Sequence, residues 1–140
     1  MREAIGTTYL LNIIIVFIAV VFAAITGIIS YSKAYKVSTR IGDAIERAEG
    51  YNDVSKKEID RVLGSLGYRK GTIRCPRKED KSGSTDGLYQ YCVYKFPKSN
   101  KHYQYAVLTY MYFDLPLINE LKVPIYVKTD RIYCFSRTGC

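Results

Sequence analysis

The chain has 140 residues, 48% hydrophobic and 24% charged, with 21 Lys and Arg against 13 Asp and Glu for a formal net charge of +8. That is enough for one domain, too little for two comfortable cores, and too apolar for a fully disordered chain. The near-zero mean hydropathy averages two unlike parts, an intensely apolar start and a basic, tyrosine-rich remainder.

The apolar part runs from Tyr9 to Ile29, 21 residues without a charge. At about 1.5 Å per residue, a helix of this length spans the roughly 30 Å of hydrocarbon in a bilayer. A cleaved signal peptide fits less well, because Arg2 is offset by Glu3, the apolar core is too long, and helix-compatible sequence follows Ser30-Tyr31-Ser32. A buried core helix is the other alternative. The sequence favours a single-pass membrane anchor, with the bilayer as its first partner.

The helical period continues past the apolar run. Ala34, Val37, Ile41, Ala44, Ile45 and Ala48 recur at three- and four-residue intervals between charged residues. One helix from near Glu3 to Glu49 is expected, roughly 70 Å long, with Gly50 supplying the left-handed stop. The projecting half carries a narrow apolar stripe that the downstream chain or another subunit must cover. A second helix is expected at Ser55-Lys56-Lys57-Glu58, read as a capping box. Ile59, Val62, Leu63 and Leu66 form its buried face, and Gly67 ends it.

From Tyr68 the period becomes two. Tyr89, Tyr91 and Val93 alternate with Gln90, Cys92 and Tyr94. Tyr103, Tyr105, Val107, Thr109, Met111 and Phe113 share one face of a second run, and residues 121–134 make a third with Val123, Ile125, Val127 and Thr129 on one side. Turn chemistry falls at residues 81–87, 97–100 and 116–120, so an antiparallel meander is expected, with residues 68–74 as an additional edge strand. The fold class is α+β: residues 1–50 form a transmembrane and projecting helix, and residues 51–140 form a short helix plus an antiparallel sheet head.

Four cysteines, Cys75, Cys92, Cys134 and Cys140, lie in that head. An even count beyond a membrane anchor reads as disulfides in an oxidising compartment. Of three possible connectivities, Cys75–Cys92 is favoured because it closes the basic loop between neighbouring strands, and Cys134–Cys140 because it ties in the tail. Free thiols are the plain alternative, and zinc lacks the close ligand pairs it needs. Lys33, Lys36, Arg40 and Arg47 after the anchor argue for a cytoplasmic head by the positive-inside rule. The cysteines argue for an extracytoplasmic one and take precedence, since Asp43, Glu46 and Glu49 make the cationic stretch a mixed-charge surface.

No nucleophile elbow, zinc helix motif, phosphate loop or dinucleotide fingerprint occurs. His102 sits at an expected turn, and Asp114, Glu120 and Asp130 read as surface acids near strand ends. The chain therefore reads as non-enzymatic and without a cofactor. Residues 31–140 hold 20 Lys and Arg against 12 Asp and Glu. Arg69, Lys70, Arg74, Arg77, Lys78 and Lys81 form a basic stretch suited to a polyanion such as DNA, an anionic cell-wall polymer or lipid headgroups. Ten of the 14 tyrosines follow residue 67, offering aromatic contact area on both faces of a thin sheet.

This layout resembles type IV pilin-like subunits and, more closely, TadE-like minor pilins. The residues that carry the likeness are Met1 to Gly6, the anchor Tyr9 to Ile29, the helix tail Glu46 to Tyr51, and the late runs Phe113 to Leu117 and Val123 to Val127. The resemblance implies assembly with other pilin-like subunits in homo- or hetero-oligomers, and incorporation into a surface filament. It also implies that Glu3 or Asn12 helps set helix register in the assembly. The chain departs from the pilin pattern at the processing site: Glu3 precedes Gly6, and cleavage after Gly6 would put Leu11 where that pattern has a glutamate.

Overall fold

The computed structural model describes residues 2–81, 83–85, 87–98, 101–115 and 118–133, without the side chains of 114, 115, 118 and 119. The expected Cys134–Cys140 pair lies outside the described residues. Helix α1 spans Arg2–Arg47 and α2 spans Asp53–Ser65; strands follow at β1 (Tyr91–Pro97), β2 (His102–Leu115), β3 (Ile118–Lys128) and β4 (Ile132–Tyr133). The α+β layout is the one expected.

Helix α1 ends in a double-bonded stop: the Gly50 N–H donates to the Ile45 carbonyl at 2.9 Å and the Glu49 N–H to the Glu46 carbonyl at 3.2 Å. This geometry puts the left-handed residue one place past the cap. That residue is Glu49, at φ 56°, rather than Gly50, whose φ is 148°. An L side chain in this conformation costs about 1–2 kcal/mol, partly offset by the freedom that glycine adds to the unfolded chain. Glu49→Gly is therefore expected to stabilise the head by about 0.5–1 kcal/mol, read as a higher urea midpoint in near-ultraviolet circular dichroism. A lower midpoint would contradict the assignment.

Helix α2 begins one turn earlier than its expected box. Asn52, with extended backbone at φ −126°, accepts hydrogen bonds from the Val54 and Ser55 amides, and the Ser55 hydroxyl accepts from the Asn52 amide at 2.8 Å. Ser55 is thus the third residue of the helix and not its cap. Glu58 instead pairs with Arg61 at 2.7 Å. Gly67, at φ 64°, ends the helix as expected, with the Tyr68 N–H on the Leu63 carbonyl at 3.0 Å. Ile59 and Leu63 are buried, whereas Val62 is half-buried and Leu66 is exposed.

The three long strands form an antiparallel meander in the order β1-β2-β3. Val93 opposes Val107, and Val107 opposes Val127. The third run is broken: β4 also pairs with β2, through His102 and Tyr103, with one residue of extra length between it and β3. At that bulge the Thr129 hydroxyl accepts the Tyr105 N–H at 3.1 Å, while the Thr129 N–H reaches the Tyr105 carbonyl at 2.8 Å. The β2–β3 turn is shorter than expected, since β3 already begins at Ile118.

The additional edge strand does not form. Residues 68–74 make one isolated bridge, Lys70 to Tyr89. Gly71, at φ 134°, turns the chain out of line with the sheet.

The head has three layers. Val37, Ile41 and Ile45 of α1 and Ile59 and Leu63 of α2 pack on Tyr91, Val93, Tyr105 and Val107. On the opposite face, Cys92, Tyr94, Phe96, Ala106 and Leu108 pack under Ile73 and Cys75 of the preceding loop. Burial on both sides of β1 explains why residues 91–94 are buried and carry no charge on either face. In the middle of the helix–sheet interface, fully buried Ser38 and Thr109 share a hydroxyl hydrogen bond. The core therefore crosses residue 50: the projecting half of α1 is an integral layer of the head.

Candidate functional site

The first surface of interest is the amino-terminal half of α1. Residues 2–26 are exposed throughout, including Ile14, Phe17, Val20 and Phe22. Its three threonines are dealt with locally: the Thr7, Thr8 and Thr26 hydroxyls each donate to the carbonyl four residues earlier at 2.9 Å, which satisfies them in an apolar solvent. Tyr9 and Tyr31 bracket the run and are 68% and 55% exposed. Their axial separation is about 33 Å, the spacing of the two aromatic belts of a membrane span. Asn12 lies in the apolar run beside Ile13, Val16 and Phe17, and Glu3 lies in the first turn. Both are exposed.

The second element is the loop closed by the Cys75–Cys92 disulfide. It caps the outer face of β1. The Tyr94 hydroxyl donates to the Pro76 carbonyl, and a Cβ on Gly83 would come within 2.7 Å of the Cys75 Cβ and 2.9 Å of the Tyr94 ring. Only glycine permits that approach. At the base of the loop the Tyr68 hydroxyl fills the gap where β1 parts from β2. It accepts the Tyr110 N–H at 3.1 Å and lies 3.0 Å from the Gln90 carbonyl, to which it donates. Burial pushes the Tyr68 hydroxyl up to about 12.

The six basic residues singled out by the sequence are all exposed, and the structure divides them. Arg69 pairs with Glu120 and lies over the Tyr112 ring at 4.4 Å. Lys70 stands 6.0 Å over Tyr89. Arg74 lines a cleft with Tyr110, Tyr112 and Lys122. Lys78 and Lys81 close a two-residue turn in which Glu79 and Asp80 both take positive φ, 49° and 60°, the geometry of a tight hairpin turn. Arg77 immediately precedes that turn. Glu79 holds Lys128 at 2.7 Å and raises its pKa through that hydrogen bond. Lys128 and Lys122 are six residues apart on β3, about 20 Å along the strand. The cations therefore form one group near Tyr112 and another near Lys128.

The chain matches no protein-family model, no curated protein and no solved structure.

Among the described residues, no group of three or more His, Cys, Asp or Glu side chains is placed to hold a metal ion. His102 packs edge-on against Tyr133 at 5.1 Å, and the Glu46 carboxylate accepts the Asp130 N–H at 3.0 Å. Glu120, read from sequence as a generic acid, is the partner of Arg69.

Sequence reasoning passed over a groove of about 340 Å³ between α1, the end of α2 and β2. Ser30, Lys33, Leu66, Arg69, Tyr110 and Tyr112 are among its lining residues. The available signal was positional: Lys33 follows the apolar run by one helical turn. The strand that completes the groove reaches far down the anchor, since the Phe113 ring comes within 3.8 Å of where a Gly27 Cβ would stand.

Proposed function

We propose that this protein is a non-enzymatic, membrane-anchored, pilin-like subunit that assembles through its amino-terminal helix and carries its disulfide-closed head outside the cytoplasm. The observation that carries this reading is the continuity of α1. One 46-residue helix presents an unpartnered apolar half and then serves as the backing layer of a small sheet. An apolar helix surface with no covering chain is stable only in lipid or against other helices. The Cys75–Cys92 disulfide supports an oxidising compartment for the head.

Detergent-solubilised full-length protein, studied by sedimentation equilibrium and by co-purification from its native membrane, is expected to associate with itself or with other helix-anchored subunits. Asn12→Leu should weaken that association by roughly threefold, the usual worth of one interhelical polar contact in a membrane. A strictly monomeric protein that brings down no partner would overturn the reading.

A further inference from the structure

Two contacts fix the height of the lower sheet against α1. Ser38 shares a hydroxyl hydrogen bond with Thr109, and the Phe113 ring lies 3.8 Å from where a Gly27 Cβ would stand. Strand β2 therefore descends beside the helix, and Tyr112, about three-quarters of the way from Thr109 to Phe113, stands near the height of Ser30. Ser30 is the first residue after the apolar run. The headgroup layer of a bilayer occupies about 5–7 Å beyond the hydrocarbon, so Tyr112 and Lys122, its partner across on β3, stand in that layer.

At this height the face of the sheet away from α1 carries a cleft of about 340 Å³. The Ser38–Thr109 contact turns the odd residues of β2 toward the helix, so Tyr110 and Tyr112 turn to the opposite face, and Lys122 with them. These three line the cleft together with Thr72, Ile73 and Arg74 of the preceding loop. The Arg69 guanidinium lies over the Tyr112 ring at 4.4 Å and the Lys122 ammonium at 5.6 Å, but only Arg69 is neutralised, by Glu120. Arg74 and Lys122 are exposed, and neither makes an ion pair or a hydrogen bond among the described residues. Three cations against one carboxylate leave two positive charges beside two half-buried tyrosine rings. Cations and tyrosines at headgroup level are the complement of an anionic lipid.

We infer that this outer cleft binds the phosphate of an anionic phospholipid, with Lys122 and Arg74 as its cationic contacts and Arg69 held back by Glu120. The head is then tied to the membrane on both faces of its sheet, by α1 on one and by the lipid on the other. This inference rests on the reading of α1 as a membrane anchor and is independent of assembly.

The test uses the full-length chain in detergent, titrated with dioleoyl phosphatidylglycerol and followed by native mass spectrometry. One lipid per chain is expected to be retained in preference to dioleoyl phosphatidylcholine. Lys122→Gln and Arg74→Gln should each weaken retention about fivefold, since one unit of charge near a membrane surface is worth about that factor. Glu120→Gln removes the opposing charge and should strengthen retention by about as much. Lys57→Gln, on α2 beside Arg47 at the far end of the head, should leave it unchanged. Both cations of the cleft are exposed, so their variants should keep the near-ultraviolet circular dichroism of the wild type.

Retention equal to that of the wild type in both Lys122→Gln and Arg74→Gln, or an equal loss in Lys57→Gln, would overturn the inference. So would displacement of the lipid by an equal concentration of inorganic phosphate or of a short single-stranded DNA. Carbonate extraction of native membranes separates this failure from failure of the anchor. A chain that stays in the membrane but shows no effect of Lys122 or Arg74 refutes the lipid site alone. A chain released by carbonate refutes the anchor and the site together.

Discussion

Removing the Cys75–Cys92 disulfide by the double substitution Cys75→Ala and Cys92→Ala is expected to lower the stability of the head by about 3 kcal/mol. The two residues are 17 apart in sequence, and closing a loop of that size restricts the unfolded chain by about this amount. The bridge also anchors a covering layer. Cys92 is fully buried on β1, and Cys75 brings Ile73 and the Pro76 carbonyl over Tyr94. Without the bridge, the outer core of Cys92, Tyr94, Phe96 and Leu108 depends on a loop held by a few hydrogen bonds. The measurement is urea unfolding in detergent followed by the near-ultraviolet signal of the tyrosines, because α1 stays helical in micelles and masks the far-ultraviolet change. Reduction of the wild-type protein should reproduce the loss. A midpoint unmoved by either treatment would show that the loop is held by other means.

The second large effect is expected at Tyr68. In Tyr68→Phe the Tyr110 N–H loses its acceptor and the Gln90 carbonyl its donor, at the seam where β1 and β2 diverge. Both residues are half-buried, so leaving these backbone groups unsatisfied costs about 1–2 kcal/mol, the lower part of the range for buried groups. The same hydroxyl gives the head an alkaline limit. Tyr68 holds its proton up to about 12 in the folded protein because burial disfavours the phenolate, whereas in the unfolded chain it releases the proton near 10. Its contribution to stability is therefore complete below pH 10 and is lost as pH rises from 10 to 12. That contribution is at most about 3 kcal/mol. Tyr94, Tyr105, Tyr112 and Tyr126 are also raised by burial and act in the same direction. Stability measured between pH 8 and pH 12 should fall less steeply in Tyr68→Phe than in the wild type. Parallel profiles would remove Tyr68 from the account.

The elements set by short-range pattern were legible in the sequence. The apolar run, the stripe from Ala34 to Ile45 and the two-residue period of Tyr103 to Phe113 each follow from side-chain spacing, and each takes the expected place. So does Gly67, whose left-handed backbone is a local requirement. The Cys75–Cys92 pair was legible because its two ends flank one loop. What stayed hidden depends on partners distant in the chain. Glu49 is forced into a glycine-like conformation by the hydrogen bonds that end α1, although Gly50 stands next to it. Asn52 outcompetes Ser55 as the cap because Ser55 is buried against the core. Residues 68–74 have strand-like composition, yet the gap beside Tyr110 is filled by a side-chain hydroxyl instead of a strand. The basic stretch reads as one patch in sequence and is two groups in space, because Arg69 and Arg74 gather at Tyr112 while Glu79 ties the Lys78–Lys81 turn to Lys128, about 20 Å along β3 from Lys122.

The unbroken course of α1 fixes an angular relation between anchor and head. Each residue turns the helix by about 100°, so Asn12 falls within about 40° of the direction in which Ala34 and Ile41 face the sheet. The head consequently overhangs the side of the anchor on which Asn12 sits, like a canopy above one quadrant. A neighbouring helix that meets Asn12 comes up beneath that canopy, and its own head must be displaced along the shared axis to avoid collision. In the proposed assembly, contact through Asn12 would carry with it a stagger between subunits. Inserting a single residue between Ile29 and Lys33 would swing the head by about 100° and uncover that quadrant.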